Sequence, residues 1–298
     1  MKSPSLSLVV PTRQRTGKLR ALLESLKSNT KNERQMQVIL VVDADDAESL
    51  EFRFSSLAMK RVVVQPGRTI GELNRAGAEA ADGAFLMLLN DDVIVRTRGW
   101  DRQVLSACRR FEDGIVLVHV NDTLFGEGMC TFPIVSRTYC ELSGGICPPD
   151  YHRYRIDDHI ENIFHLLGIL GEQRIVYLPD VVFEHTKRVE LDCGKKAYFL
   201  DTAIEALDGP RYEQRFFERK QVAIRLKEHI EACRGRDWQD DGRLDNVEAS
   251  SLDRRREIIR GPVLQRIRSC YQQRGLRGLA RSASKVFLSR RRRSGLLL

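Results

Sequence analysis

The sequence contains no Cys-x-x-Cys pair, and its seven cysteines are an odd number. That argues against a disulfide framework and a zinc ribbon, and fits a reduced compartment. Neither G-x-G-x-x-G nor G-x-x-x-x-G-K-[ST] occurs, so the dinucleotide and P-loop readings lack their phosphate cradle. No apolar run approaches the about 20 residues needed to cross a bilayer. The first apolar stretch, Leu6-Ser7-Leu8-Val9-Val10, is too short for a signal-peptide core and is ended by Pro11. A soluble, cytoplasmic protein is expected. Acid is missing from one end: no Asp or Glu follows Glu257. The net charge of +8 is therefore uneven, with 22 Lys/Arg against 25 Asp/Glu in residues 1–185 and 27 against 16 in residues 186–298.

With 298 residues and a hydrophobic fraction of 42%, the chain can bury a sizeable core. It is long enough for one large α/β domain plus an appendage, here placed at 1–186 and 187–298. Short buried-strand patterns alternate with helical ones. The strands are Leu6–Val10, Val38–Val42, Val62–Val64 and the run Ala84–Leu89. Between them, Leu19, Leu22, Leu23 and Leu26 recur at helical spacing, a helix is expected through the mid-50s, and residues 70–81 read as helix. Such alternation with short connections means right-handed crossovers and a mostly parallel sheet. Further on, helices are expected over 99–111, 137–142 and from Asp157 to about Gly168. Strands are expected over 115–120, 132–135 and 174–178.

Each early strand ends in polar residues on one edge: Thr12-Arg13, Asp43, Arg68, and Asn90-Asp91-Asp92. In open α/β sheets that carboxyl edge is where ligands bind. A hard divalent cation held by one or two carboxylates, with substrate phosphates completing its shell, is an economical use of the acid pair. Taken alone, Asn90-Asp91-Asp92 equally fits a polar turn or a cap for the helix near Trp100. Asp157-Asp158 at a helix start likewise fits an ordinary cap and dipole arrangement.

The order of motifs resembles the family-2-type glycosyltransferases with the GT-A fold. The resemblance rests on Val9-Val10-Pro11-Thr12, Val41-Val42-Asp43, Arg68 with Asn74-Arg75-Ala76-Gly77, Leu89-Asn90-Asp91-Asp92 with Gly99-Trp100, Asp157-Asp158, and Val176-Tyr177-Leu178-Pro179 leading to His185. It spans residues 5–186. It implies a hexosyltransferase of polysaccharide synthesis that moves a sugar from a nucleotide-diphosphate donor to a glycan or lipid-linked acceptor. Asp43 would meet the nucleobase edge, and Pro11, Thr12, Arg13, Arg68, Asn74, Asn90 and Asp91 would line the nucleotide pocket. Asp92 and His185 would hold Mn²⁺ or Mg²⁺. Asp158, with Asp157 beside it, would be the general base of an inverting reaction. Two positions depart from the family pattern: Asn90 stands where the first metal-motif acid is expected, and Asp157 is one methylene shorter than the usual glutamate.

The pairing of types suits the chemistry. Displacing a nucleoside diphosphate requires its charge to be neutralised, and the attacking hydroxyl must lose a proton. Loops around residues 121–130 and 144–155 are expected to set acceptor choice. Beyond residue 186 a helix is expected over 211–233, and Leu279, Ala283, Val286 and Phe287 recur among basic residues near the end. A basic amphipathic end suits peripheral contact with the inner, anionic face of a membrane, or an acidic partner; nucleic acid is the less expected ligand. Two rival functions stand beside the transferase. One is a nucleotidyltransferase, for which Pro11-Thr12-Arg13-Gln14-Arg15 is basic but has glycine only at Gly17. The other is a degenerate GT-A domain that binds through its basic tail, a view Asn90 favours.

Overall fold

The computed structural model describes residues 5–186 and 202–248. The basic amphipathic end lies outside the described residues.

The runs at Leu8–Val10, Val38–Val42 and Phe85–Leu88 are apolar on both faces, so they take the interior of a sheet covered by helices on each side. Leu6–Thr12 (β1) pairs in parallel with Met36–Asp43 (β2) on one side and Phe85–Leu88 (β4) on the other, while Met59–Val64 (β3) extends the sheet beyond β2. These four strands alternate with the helices Thr16–Asn29 (α1), Ala47–Glu51 (α2) and Ile70–Ala80 (α3). The mid-50s helix is shorter than expected and ends at Glu51, ahead of β3.

The second half changes direction. Val93–Val95 (β5) leads to Trp100–Cys108 (α4), Leu117–Asn121 (β6), Ile134–Ser136 (β7), Arg137–Ser143 (α5), Ile156–Ile169 (α6) and Ile175–His185 (β8). The sheet order is β3-β2-β1-β4-β7-β6-β8-β5. β7 runs antiparallel to β4 and β6, so it joins the parallel β3-β2-β1-β4 half to the rest. The sequence pattern ends β8 at Leu178, but the strand continues for 11 residues in all. An irregularity after Leu178 shifts its parallel register on β6, which resumes at Val182 opposite Asn121, and the following residues Phe183–His185 pair antiparallel with β5. His185 is thereby fixed opposite Val93.

Two glycines set close approaches. A Cβ on Gly77 of α3 would overlap Val9 and sit 2.8 Å from Val41 Cγ2, so glycine lets the helix lie directly on β1 and β2. Gly99 takes φ +75° at the start of α4, which turns fully buried Trp100 inward to donate from Nε1 to Thr30 Oγ1 at 3.1 Å.

The expected helix over 211–233 is two helices, Thr202–Gln214 (α7) and Phe216–Cys233 (α8). Val222, Ala223, Leu226 and Ile230 of α8 belong to the same buried cluster as Ile160, Ile163 and Leu167 of α6. Arg219, fully buried, donates to Asn162 Oδ1 and to the carbonyl of Tyr212, both at 2.6 Å, and its guanidinium lies 3.9 Å from the Tyr212 ring centre. At the far end, Glu172 accepts from Lys227 at 2.9 Å and from Arg234 and Arg174. Burial pushes the Glu172 carboxyl up, but the hydrogen bonds from Arg234, Lys227 and Arg174 together outweigh it and hold the group at about 2.

A carboxyl depressed on folding stabilises fully above its ordinary value of 4.5 and loses that contribution as pH falls toward about 2. The gap in urea midpoint between wild type and Glu172→Gln should therefore be larger at pH 6 than at pH 3. An equal gap at both pH values would remove the charged network as its source.

Candidate active site

The site is built at the carboxyl edge of β1 and β4. Parallel pairing with a shared register brings Thr12, at the end of β1, beside the residues that follow β4. Its hydroxyl donates to Asp91 Oδ2 at 2.8 Å. The next residues after β1 divide their charges between two acid groups. Arg13 donates to Asp43 at 2.7 Å and to Asp45 at 2.6 Å, whereas Arg15 turns the other way. Gln14 between them has φ +51°, a left-handed conformation that non-glycine residues rarely adopt, and its N–H donates to Asp46 Oδ2 at 2.7 Å.

Arg15 bridges the acid pair. Nη1 lies 2.9 Å from Asp91 Oδ1 and Nη2 lies 2.7 Å from Asp92 Oδ2, with Lys18 Nζ 4.0 Å from that same oxygen. Both carboxylates are 3% exposed, so their charges meet these cations in a region of low screening. Burial raises the Asp91 pKa above the ordinary aspartate value, against the opposing pull of Arg15 and Thr12. The other Asp92 oxygen, Oδ1, faces His185 Nε2 at 3.6 Å. His185 arrives through β8, its ring 6.0 Å from that of Phe132, and the chain beside it is pinned where Thr186 N–H donates to the Asp92 carbonyl at 2.8 Å.

A cavity of about 490 Å³ opens over these groups. Pro11, Arg68, Asn74, Asn90, Asp91, Asp92, Asp157 and His185 line it. Four expected site residues stand outside that lining. Thr12 acts from behind, through Asp91. Arg13 and Asp43 pair with each other. Asp158 lies on the first turn of α6, 3.8 Å from Arg155 Nη1. Arg68, though in the lining, also pairs with Glu72 at 2.6 Å at the start of α3.

Among the described residues no group of three or more His, Cys, Asp or Glu side chains converges on a metal-sized point. Asp92 and His185, a hard carboxylate and an imidazole 3.6 Å apart, almost fully buried and lining the cavity, are the two side chains that could offer donors to a metal ion here. That pair fits a divalent ion whose remaining positions are filled by phosphate oxygens and water.

The opposite wall comes from two loops. In the first, Asp122 is 1% exposed and accepts from the N–H groups of Leu124, Phe125 and Gly126 at 2.9, 2.8 and 3.0 Å and from Thr131 Oγ1 at 2.7 Å. This fixes Leu124, Phe125 and Thr131 in the cavity wall. The second, residues 152–154, is held by α7. Asp208, fully buried, accepts from the N–H groups of His152, Arg153 and Tyr154 at 2.8, 2.9 and 2.8 Å. Glu205 accepts from Arg155 Nε at 2.9 Å, and Ile204 completes the wall.

Arg15, Asp122, Arg155, Glu205 and Asp208 therefore shape the cavity or its loops, and the sequence reading did not single them out for that. Arg15 is visible in the sequence only as part of a basic run after the first strand. Glu205 and Asp208 lie in a mixed-charge stretch whose acid spacing points inward only once α7 is placed on the loop.

No protein-family model matches the chain, and no curated protein matches its sequence. Among solved structures, a mannosyltransferase from Pyrobaculum calidifontis in complex with GDP-Man and Mn²⁺ superposes with TM-score 0.50 at 13% identity, covering 97% of this chain and 81% of that one. TarS 1–349 from S. aureus gives TM-score 0.48 at 13% identity, covering 96% and 91%, and its UDP-GlcNAc complex 0.48 at 16%, covering 89% and 81%. The fold is the GT-A-type α/β fold of glycosyltransferases, as the motif order implied. No helix among the described residues is long and apolar enough to cross a membrane.

The clamp on the second loop is directly testable. Asp208→Ala leaves three N–H groups without their carboxylate, and the loss should be at least roughly 1.5–3 kcal/mol, the contribution of a single bond to a charged group. Hydrogen exchange should accelerate at His152, Arg153 and Tyr154 while β1 and β4 keep their protection.

Proposed function

We propose that this chain is a glycosyltransferase that moves a sugar from a nucleotide-diphosphate donor to an acceptor hydroxyl, and that it is metal-dependent, inverting and of the family-2 type. The observation that carries the reading is the convergence of Asp91, Asp92 and His185 at one wall of a cavity whose other wall bears the α6 acid Asp157. The GT-A fold, shared with a mannosyltransferase solved with GDP-Man and Mn²⁺, supports it.

In this reading Asp92 and His185 hold the divalent ion, Mn²⁺ or Mg²⁺. When bound, it neutralises the diphosphate as that group departs. Asp91, whose oxygens meet Thr12 and Arg15, lies beside Asp92 and His185 in the lining of the nucleotide pocket. Arg68 and Asn74 flank the nucleotide, and Asn90 offers a neutral hydrogen-bonding group to the ribose. Asp43 recognises the nucleobase edge only if Arg13 yields part of its hold on it. On the acceptor side, a carboxylate of the Asp157-Asp158 pair takes the hydroxyl proton as the hydroxyl attacks the anomeric carbon from the face opposite the leaving group. Phe125 and Tyr154 supply apolar surface for a sugar ring beside it.

Isothermal titration of UDP, GDP and dTDP, with and without Mn²⁺, tests the donor half. One nucleotide should bind only with metal, and Asp92→Ala should abolish that binding. Binding that is indifferent to both metal and Asp92 would sink the proposed site. For the acceptor half, turnover of the nucleotide sugar found in this way should fall by about 10²–10⁴ in Asp158→Asn or in Asp157→Asn, with donor affinity retained. Unchanged turnover in both would remove the α6 acids as base. The rival reading, a GT-A domain that binds without turnover, draws on exposed Asn90 in place of an acid. It predicts nucleotide binding with no release of product from any donor.

A further inference from the structure

We propose that Arg15 is a counter-cation built into this site: it withholds the acid pair from a divalent ion and yields it when a nucleoside diphosphate enters. The inference rests on the donor reading above. Its physical basis is the geometry of one side chain. Arg15 spans two separate carboxylates, 2.9 Å from Asp91 Oδ1 and 2.7 Å from Asp92 Oδ2. Both acids are 3% exposed, whereas Arg15 is 40% exposed, so the guanidinium lies over the pair from the cavity side. Two adjacent buried carboxylates alone would repel each other and attract a doubly charged ion strongly. With Arg15 in place, their net charge is reduced to that of a single carboxylate, and Lys18 at 4.0 Å reduces it further.

The backbone is arranged to deliver this. Gln14 holds its left-handed φ of +51° under the hydrogen bond from its N–H to Asp46, and Arg13 is drawn away by Asp43 and Asp45. Such a conformation is unfavourable in a non-glycine residue, and the surrounding contacts must offset it. Its effect is to send the two arginines that flank it to opposite acid groups.

A divalent ion arriving alone therefore competes with a cation already bound. A nucleoside diphosphate changes the balance, because a guanidinium that leaves carboxylates can bind phosphate oxygens in the same bidentate manner. The ion and the nucleotide should consequently bind with positive coupling, and by linkage each should raise the affinity of the other by the same factor.

The test measures free Mn²⁺ by electron paramagnetic resonance in titrations of the full chain: wild type, Arg15→Gln and Arg15→Lys. Each titration is run without nucleotide and with saturating UDP, GDP or dTDP. Arg15→Gln should bind Mn²⁺ alone at least ten-fold more tightly than wild type, with Arg15→Lys between them. The factor by which nucleotide tightens Mn²⁺ binding should shrink in Arg15→Gln. Metal-only affinity that is unchanged or weaker in Arg15→Gln overturns the proposal. If Arg15→Gln tightens Mn²⁺ binding but no nucleotide alters it in any variant, the counter-cation role stands and the donor reading fails. Because Arg15→Lys keeps the charge and most of the side chain, it carries the test should the glutamine variant fold poorly.

Discussion

Two neighbouring carboxylates removed from water must have their charge met by something, and the architecture around Asp91 and Asp92 is organised by that requirement. The β1–β4 pairing brings a hydroxyl and a guanidinium to them from one side, and β8 brings an imidazole from the other. Isolated, either charge would cost several kcal/mol to bury. Surrounded in this way, the pair becomes a place where positive charge is required but its identity is exchangeable.

The remainder of the fold supplies rigidity at the two walls of one cavity. On the wall that carries Asp91 and Asp92 it comes from strand pairing and from α3 lying on the sheet through Gly77. On the opposite wall the backbone is irregular, and side-chain carboxylates take over the task that neighbouring strands perform elsewhere. Asp122 and Asp208 each gather three consecutive N–H groups, so two loops keep fixed shapes without belonging to a long helix or a strand.

The sequence disclosed what depends on short-range periodicity. The buried runs around Val9, Ile39 and Met87 read as strands, the leucines of α1 read as one face, and the acids ending β4 fall on the ligand-binding edge. Hidden from it was everything that depends on distant partners. β8 passes through Pro179-Asp180, which locally reads as a stop, and only pairing with β5 carries it on to His185. Arg13 and Arg15 look alike in sequence and separate only through the conformation of Gln14. The capping box of α3, with Thr69 and Glu72 exchanging hydrogen bonds, has a spacing that the sequence displays openly; its consequence, where Arg68 enters the cavity, shows only in three dimensions. The role of Asp208 could not be read at all, since its three partners lie more than 50 positions away.

The clamp by α7 has a consequence for how such a chain can diversify. The groups that meet Asp91 and Asp92 are drawn from residues 12–18 and 185, whereas the loop at 152–154 takes its shape from a helix that begins at Thr202. The two walls thus answer to separate stretches of sequence. Substitutions along α7 can therefore reshape the loop at 152–154 while the groups that meet Asp91 and Asp92 are inherited unaltered, so the two parts of the cavity lining are free to change at different rates.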